Sequence, residues 1–489
     1  MITLCEKRKD FPIKISAVLF LIVIITVFIL GWKESVLEEV QLTSKCSFTL
    51  TEDAPSSHDL PVLVLNTNGH VLTADVNGVP VEVSGVTVNL LEAAPEFMTS
   101  FKLYENCDVQ KPDIEATALV NVRGQSSRSL PKKQYSIDFE LDEVSNHDIE
   151  ILGMPKHTKW VLNGTYQDKS LIRNYLAYQM GRDVMEYSPR TRFVELYIND
   201  TNEELSYEKH YKGLYMIIEK IERGPNRVNI KKIDNRYNDI SFIIARDKVK
   251  LKDIAFENRW GKLDEEYTVD SHGKVRLRTV VQASYPSSNK LTKEYSDKIT
   301  KYVNDFEDTL YSSKFKDPAN GYRKYIDVDS FVELAMVNEI FKNIDGGEVS
   351  TYFYKDVAGK LKAGPLWDFD LTLGNTPTEE VNEPTGFRIV NTVWFNRLFQ
   401  DPYFCEIYKK KYIEYRKTVW TNEALNNRID EVILYLGEAE RKNYAVWYSN
   451  DSSYSFDLEV QQVKDFLFER LNWMDENIDN IRRYEDLID

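Results

Sequence analysis

Phe341–Asn375 reads FKNIDGGEVSTYFYKDVAGKLKAGPLWDFDLTLGN. Asp345 stands before a Gly-Gly pair, an apolar and aromatic run leads to a hairpin turn signal at Ala358-Gly359, and the stretch closes on Trp367-Asp368-Phe369-Asp370. Carboxylates set among apolar and aromatic side chains are costly to bury unless a cation offsets them. A metal ion with a bound polyphosphate would do so. Taken singly, each Asp reads as the cap of a surface turn. Taken as a pair on either side of a strand–turn–strand, with the glycines and the motifs upstream, they point to chemistry.

The chain has 489 residues, too many for one small core. Its apolar content of 42% and charged content of 29% fit a folded globular protein and argue against disorder. A net charge of −16 argues against a general nucleic-acid binder, which needs a basic face. A Ser-rich, basic protein substrate is compatible with that charge.

Ile15–Trp32 is an almost unbroken apolar run, long enough to cross a bilayer. Lys7, Arg8, Lys9 and Lys14 precede it, and Glu34, Glu38 and Glu39 follow, so the basic tail 1–14 is expected in the cytoplasm and the rest outside. No small-x-small cleavage site follows, which favours an uncleaved single-pass anchor in the cell membrane. Residues 33–58 read as a polar stalk, 59–380 as the core, and 381–489 as a helical part of the same domain. Cys46, Cys107 and Cys405 would lie outside, with Cys46–Cys107 the pairing considered; their spacing has no zinc pattern. Asn163, Asn199 and Asn450 begin triplets of the N-glycosylation type, which matter only in a eukaryotic secretory context.

From Leu60 the pattern is strand-like. Asn68-Gly69 between LPVLVLN and VLTADV is a hairpin signal, and Val79–Val83, Val86–Leu90 and Tyr135–Leu141 alternate, which predicts an antiparallel sheet with one buried face. A helix is expected from about Asp168, strands at Phe193–Ile198 and Gly213–Ile218, and a second helix over Asp329–Phe341 that delivers Asp345. Residues 223–325 carry no firmly placed motif. From about Val393 the chain reads as helical, with Leu458, Phe466, Leu467, Leu471, Met474 and Ile478 as a core stripe.

Asn121–Tyr135, NVRGQSSRSLPKKQY, is a cationic, hydroxyl-rich loop around Gly124. Its backbone N–H groups, with Arg123 and Arg128, could cradle phosphate, and Lys132 or Lys133 could reach the same anion; a solvated basic hairpin explains the loop about as well. It is no Walker A sequence. Asp168 reads as a helix cap and Arg173 as the partner of a core carboxylate. Glu219 ends an apolar run and wants a cation, so Lys133–Glu219 is the candidate for the Lys–Glu pair that holds nucleotide phosphates in protein kinases; an exposed strand-end Glu is the competing reading. Asp345 is the candidate general base. Asp368 is the candidate Mg²⁺ ligand, with Asp370 as a second ligand or a turn support. A structural Ca²⁺ at Asp368 and Asp370 stays open.

Several ordered blocks together resemble the CotH family, named from a bacterial spore-coat protein and regarded as atypical, secreted-type protein kinases. They are Val122-Arg-Gly-Gln-Ser-Ser-Arg128 with Pro131-Lys-Lys133 and Tyr135; Asp168-Lys-Ser170 with Arg173-Asn174; Gly213-Leu-Tyr215 with Glu219; and Asp345 with Trp367-Asp-Phe-Asp370. They span residues 60–376. The resemblance implies an α+β, diverged kinase-like fold with a β-rich N-terminal lobe and a helical C-terminal lobe. It also implies Mg²⁺- and ATP-dependent phosphorylation of Ser on protein substrates. It makes Asp345 the match for the catalytic Asp, Asp368 the match for the metal-binding Asp, and Lys133 the match for the nucleotide-binding Lys. Two departures stand out: Ser350 occupies the position of a metal-binding Asn, and Lys-Asn-Ile rather than His-Arg precedes Asp345. Some members of the family act as surface adhesins, so a surface or coat protein that binds a partner without catalysis is the alternative.

Overall fold

The computed structural model describes residues 60–485 except 84–85, 91, 106–110, 142–146, 235, 238, 249–266, 270–274, 278 and 450–454. The expected anchor at 15–32, the stalk, Cys46, Cys107 and Asn450 lie outside the described residues. Among those described, no helix is long and apolar enough to cross a membrane.

Seven strands close into a barrel: β1 (Val62–Asn66), β2 (Phe97–Tyr104), β3 (Ile114–Arg123), β4 (Gln134–Asp138), β5 (Lys159–Asn163), β6 (Thr191–Asn199) and β7 (Tyr211–Glu219). The order around it is β1-β6-β7-β5-β4-β3-β2, with β1 parallel to β6 and every other pair antiparallel. Closure removes the open edges that a flat sheet would leave. Leu63, Phe101, Val120, Trp160, Leu196 and Ile217 fill one core cluster. Alternate residues of the last two strands, among them Phe193, Leu214, Met216 and Ile218, join the second cluster with the helices. Burial on both faces explains why these two strands read as nearly continuous apolar runs.

The Asn68-Gly69 turn forms, with positive φ at both residues and the His70 N–H donating to the Thr67 carbonyl at 3.1 Å. It does not build the expected hairpin: Val71–Val76 is not a strand, because both edges of β1 are taken by β2 and β6. Val79–Val83 and Val86–Leu90 pair only with each other, apart from the barrel. Asn163 and Asn199 are buried at strand ends; the Asn163 side chain accepts from Thr165 N at 2.8 Å, and the Asn199 amide donates to the Glu203 carbonyl at 2.8 Å.

A second sheet consists of β8 (Phe242–Lys248) and β9 (Thr279–Tyr285), from the region the sequence left unplaced, with β10 (Thr351–Lys355) and β11 (Lys362–Ala363), the expected strand–turn–strand, in the order β9-β8-β10-β11. The longer helices are α1 (Arg173–Val184), α2 (Lys293–Leu310), α3 (Val328–Ile340), α4 (Val393–Leu398), α5 (Pro402–Lys417), α6 (Asn422–Leu436), α7 (Glu438–Trp447) and α8 (Phe456–Asn477). α1 starts five residues after Asp168, yet Asp168 still serves it by accepting the Arg173 N–H at 2.9 Å. α3 starts at Val328 because Asp327 caps it through Ser330 N at 3.0 Å. Every residue from Phe331 to Ile340 is buried, so this helix runs through the core and sets its C-terminal end firmly. On α8, Leu458 is 61% exposed and leaves the expected stripe. Val460 and Val463 replace it, since two residues of helix turn a side chain through about 200°. The described residues are thus mixed α+β, with a β-rich N-terminal part and a helical C-terminal part.

Candidate active site

The loop after α3 carries Asp345. The Asp345 N–H donates to Asn343 Oδ1 at 3.0 Å, and its carbonyl accepts from Glu348 N at 3.0 Å and Val349 N at 2.8 Å. Gly347 has φ +80, and a Cβ there would lie 2.2 Å from Thr392 Oγ1, so only glycine fits. Arg388 braces the loop from outside through the Ile344 carbonyl at 2.9 Å and Glu348 at 3.3 Å.

Asp368 has φ +66, a left-handed backbone conformation uncommon outside glycine that Asp tolerates better than most residues. Its N–H donates to the Tyr178 hydroxyl at 3.2 Å, and the next N–H, of Phe369, to Asn174 Oδ1 at 2.7 Å. Both partners lie on α1. Arg173 ties the same helix to the far side of the loop, donating to the carbonyls of Thr372 at 2.9 Å and Leu373 at 3.3 Å. Arg173 itself pairs with Asp168 at 2.6 Å, with both side chains fully buried. The block Asp168-Lys-Ser170 with Arg173-Asn174 therefore acts as the clamp on the Trp367–Asp370 turn, in line with the structural reading of Asp168 and Arg173. Trp367 and Phe369 are buried packing residues.

A cleft of about 440 Å³ brings the two acidic points together. Asp345, Ser350, Asp368 and Asp370 line it beside Arg123, Gly124, Gln125, Ser126, Ser127 and Arg128. Ser350 Oγ lies 3.3 Å from Asp368 Oδ2. Val122, Val161 and Ile221 supply an apolar part of the wall. Gly124 has φ +94, and a Cβ there would sit 1.9 Å from Ser127 Oγ, so the tight turn of the loop depends on the missing side chain. Arg123 donates to Gln134 Oε1 at 2.7 Å and its guanidinium lies 5.5 Å from the centre of the Trp367 ring. Arg128 is buried and donates to the Glu92 carbonyl, while its Nε meets no partner.

Burial, then the neighbouring Asp368, pushes the Asp345 carboxyl up to about 6. Burial also raises Asp368, against the pull of Arg123. Asp370 is raised well above the usual carboxylate range by burial and then by Asp368, Asp168 and Asp345. Carboxylates that raise one another are poised for a cation. Among the described residues no three His, Cys, Asp or Glu side chains are grouped as a self-sufficient metal site. Mg²⁺ takes one or two carboxylates and completes its shell with phosphate and water, and Asp368 with Asp370 in the cleft could supply that number.

The expected Lys133–Glu219 pair does not form. Glu219 is fully buried and held by Arg190 at 3.1 Å, by the Arg190 N–H at 3.0 Å and by the Tyr187 hydroxyl at 3.2 Å. Lys133 donates to the Arg128 carbonyl at 2.6 Å. Neither residue lines the cleft. Lys132 turns away as well, donating to the Leu214 carbonyl at 2.5 Å and to Asn443 at 2.7 Å. Asp247 and Lys248 at the end of β8, which sequence reasoning missed, do line it. Their signal was the charged triplet that ends the apolar run FIIARDK.

A family model described as CotH kinase protein matches residues 120–474, about three quarters of the chain. The chain belongs to the CotH family. The matched region opens within β3, so β1 and β2 of the barrel lie ahead of it, while every residue named in the cleft except Glu92 lies inside. No curated protein sequence matches the chain.

Proposed function

We propose that this CotH-family protein is an atypical protein kinase with a diverged kinase-like fold, transferring the γ-phosphoryl group of ATP to a Ser or Thr hydroxyl of a protein. The observation that carries the reading is the single cleft in which Asp345 and Asp368 face the Gly124–Arg128 loop. The substrate Oγ forms a bond to the γ-phosphorus as the bond from that phosphorus to the β,γ-bridging oxygen breaks, and the electron pair leaves with ADP. Asp345 takes the hydroxyl proton. A carboxyl near 6 is ionised at neutral pH yet more basic than an ordinary Asp, which suits that task. Asp368 would hold Mg²⁺, with Asp370 and Ser350 beside it, and the bound ion would neutralise charge on the β- and γ-phosphates. Arg123, Arg128 and the loop between them would hold phosphate oxygens, and Val122, Val161 and Ile221 would pack on the base. The apolar run Ile15–Trp32 with its basic flank supports a single-pass anchor that sets the kinase domain outside the cytoplasm. The acidic surface suits a basic, Ser-rich protein partner.

The test is Mg²⁺-dependent autophosphorylation by residues 34–489. Asp368→Ala should abolish labelling and leave the melting temperature within a few degrees. Unchanged labelling would refute the assignment. A second reading, a surface or coat protein that binds a partner without catalysis, is favoured by one observation: Arg190, not a lysine of the cleft, holds Glu219. Nucleotide separates the two, since ligand at one hundred times its Kd stabilises a fold by about 2.7 kcal/mol. No shift with Mg²⁺ and ATP would favour the scaffold.

A further inference from the structure

Lys133, the lysine expected to hold the nucleotide phosphates, does not line the cleft, and β8 offers another cation that does. In the ladder between β8 and β10, Ala245 faces Tyr352 and Arg246 faces Thr351. The next two residues of β8, Asp247 and Lys248, line the same cleft as Val349 and Ser350, at the exit of the Asp345 loop. The Ser350 hydroxyl bonds Asp368, so β8 ends against the acidic floor of the cleft. From there the Lys248 side chain reaches across to the glycine loop: its Nζ lies 3.2 Å from Ser126 Oγ. Its carbonyl holds the same loop through Gln125 Nε2 at 3.1 Å. Lys248 thus bridges the two sides between which a triphosphate would lie.

The other cations of the cleft are more firmly engaged. Arg123 is held by Gln134 and packed over Trp367, Arg128 is buried against the Glu92 carbonyl, and Lys220 pairs with Glu222 at 3.0 Å. Among the described residues, the Lys248 ammonium donates one hydrogen bond, to a neutral hydroxyl. Its positive charge is felt by both Asp345 and Asp368, whose carboxyls it holds down against the effect of burial.

Building on the kinase reading, we propose that Lys248 is a catalytic residue whose ammonium leaves Ser126 on nucleotide binding and contacts the γ-phosphoryl oxygens during transfer. Lysine suits the role as a compact charge with three donors on a flexible stem, able to follow the group as it moves between oxygens. Asp247, one residue earlier, lines the same cleft and opposes Lys248 there, raising the Asp345 and Asp368 carboxyls.

The experiment compares Mg²⁺-ATP and Mg²⁺-ADP binding by calorimetry in the wild type, Lys248→Ala and Lys248→Arg, together with steady-state phosphorylation. Lys248→Ala should weaken ATP about tenfold and leave the ADP Kd unchanged, because only ATP carries the γ-phosphate. Its kcat should fall about 10²–10³-fold. Lys248→Arg should recover part of both. Melting temperature confirms folding, and Lys248→Gln provides a second neutral variant should the alanine form fail to fold. Equal loss of ATP and ADP, or an unchanged kcat, overturns the role. A wild type that binds neither nucleotide overturns the kinase reading, and this inference with it.

Discussion

Replacing Asp345 by Asn should make the folded chain more stable and inactive. The carboxyl is displaced from an ordinary 3.8 to about 6, first by burial and then by Asp368. Each pH unit of displacement is worth about 1.4 kcal/mol, so the ionised carboxylate costs the fold up to about 3 kcal/mol at neutral pH. Its side opens on the solvent of the cleft, which lowers the expected gain to about 1–2 kcal/mol. The sign follows from linkage: the folded value lies above the unfolded one, so the cost is full above about pH 6 and vanishes below about pH 4. Urea unfolding of the wild type and Asp345→Asn in metal-free buffer, at pH 7.5 and pH 4, measures it. The variant should gain stability at pH 7.5 and little at pH 4. A variant less stable at pH 7.5, or a gain equal at both pH values, would refute the claim that Asp345 is a strained, ionised group. Added Mg²⁺ and nucleotide should stabilise the wild type more than the variant.

Gly124→Ala places a methyl group 1.9 Å from Ser127 Oγ at φ +94, so the ATP KM should rise about tenfold from roughly 1–2 kcal/mol of strain, read by steady-state kinetics. The double variant with Ser127→Gly should recover part of the loss. Arg470→Met removes the partner 2.5 Å from Glu339 in a fully buried pair, and urea unfolding should show a loss of about 3–5 kcal/mol. Below pH 6, kcat/KM should fall as Asp345 takes up a proton, read from the pH–rate profile.

The meeting of Asp345 and Asp368 was legible because a hairpin lies between them. Pairing of Phe353 with Ala363 returns the chain, so the residue before β10 and the residues after β11 emerge at the same end. Asp168 as a helix cap and Arg173 as the partner of a core carboxylate were legible as an acid and a base at a helix start; their hold on the Trp367–Asp370 turn was not, because Thr372 lies 199 residues from Arg173. The partner of Glu219 was not: Arg190 sits 29 residues upstream and is brought there by the antiparallel register of β6 and β7. The parallel neighbour of β1 was hidden for a related reason, since a period of two marks a buried face and says nothing about which strand lies alongside. Lys248 escaped because Phe242–Lys248 is surrounded by charged sequence without a periodic signal, and its meaning comes only from its place beside Ser350 and Ser126.

The most direct test is a crystal structure of residues 34–489 with Mn²⁺ in place of Mg²⁺ and a non-hydrolysable ATP analogue. An anomalous peak within about 2.0–2.3 Å of an Asp368 oxygen, the phosphates under Gly124–Arg128, and Asp345 facing the γ-phosphorus is the expected result. A nucleotide bound elsewhere, or a metal that touches neither Asp368 nor Asp370, would contradict the account.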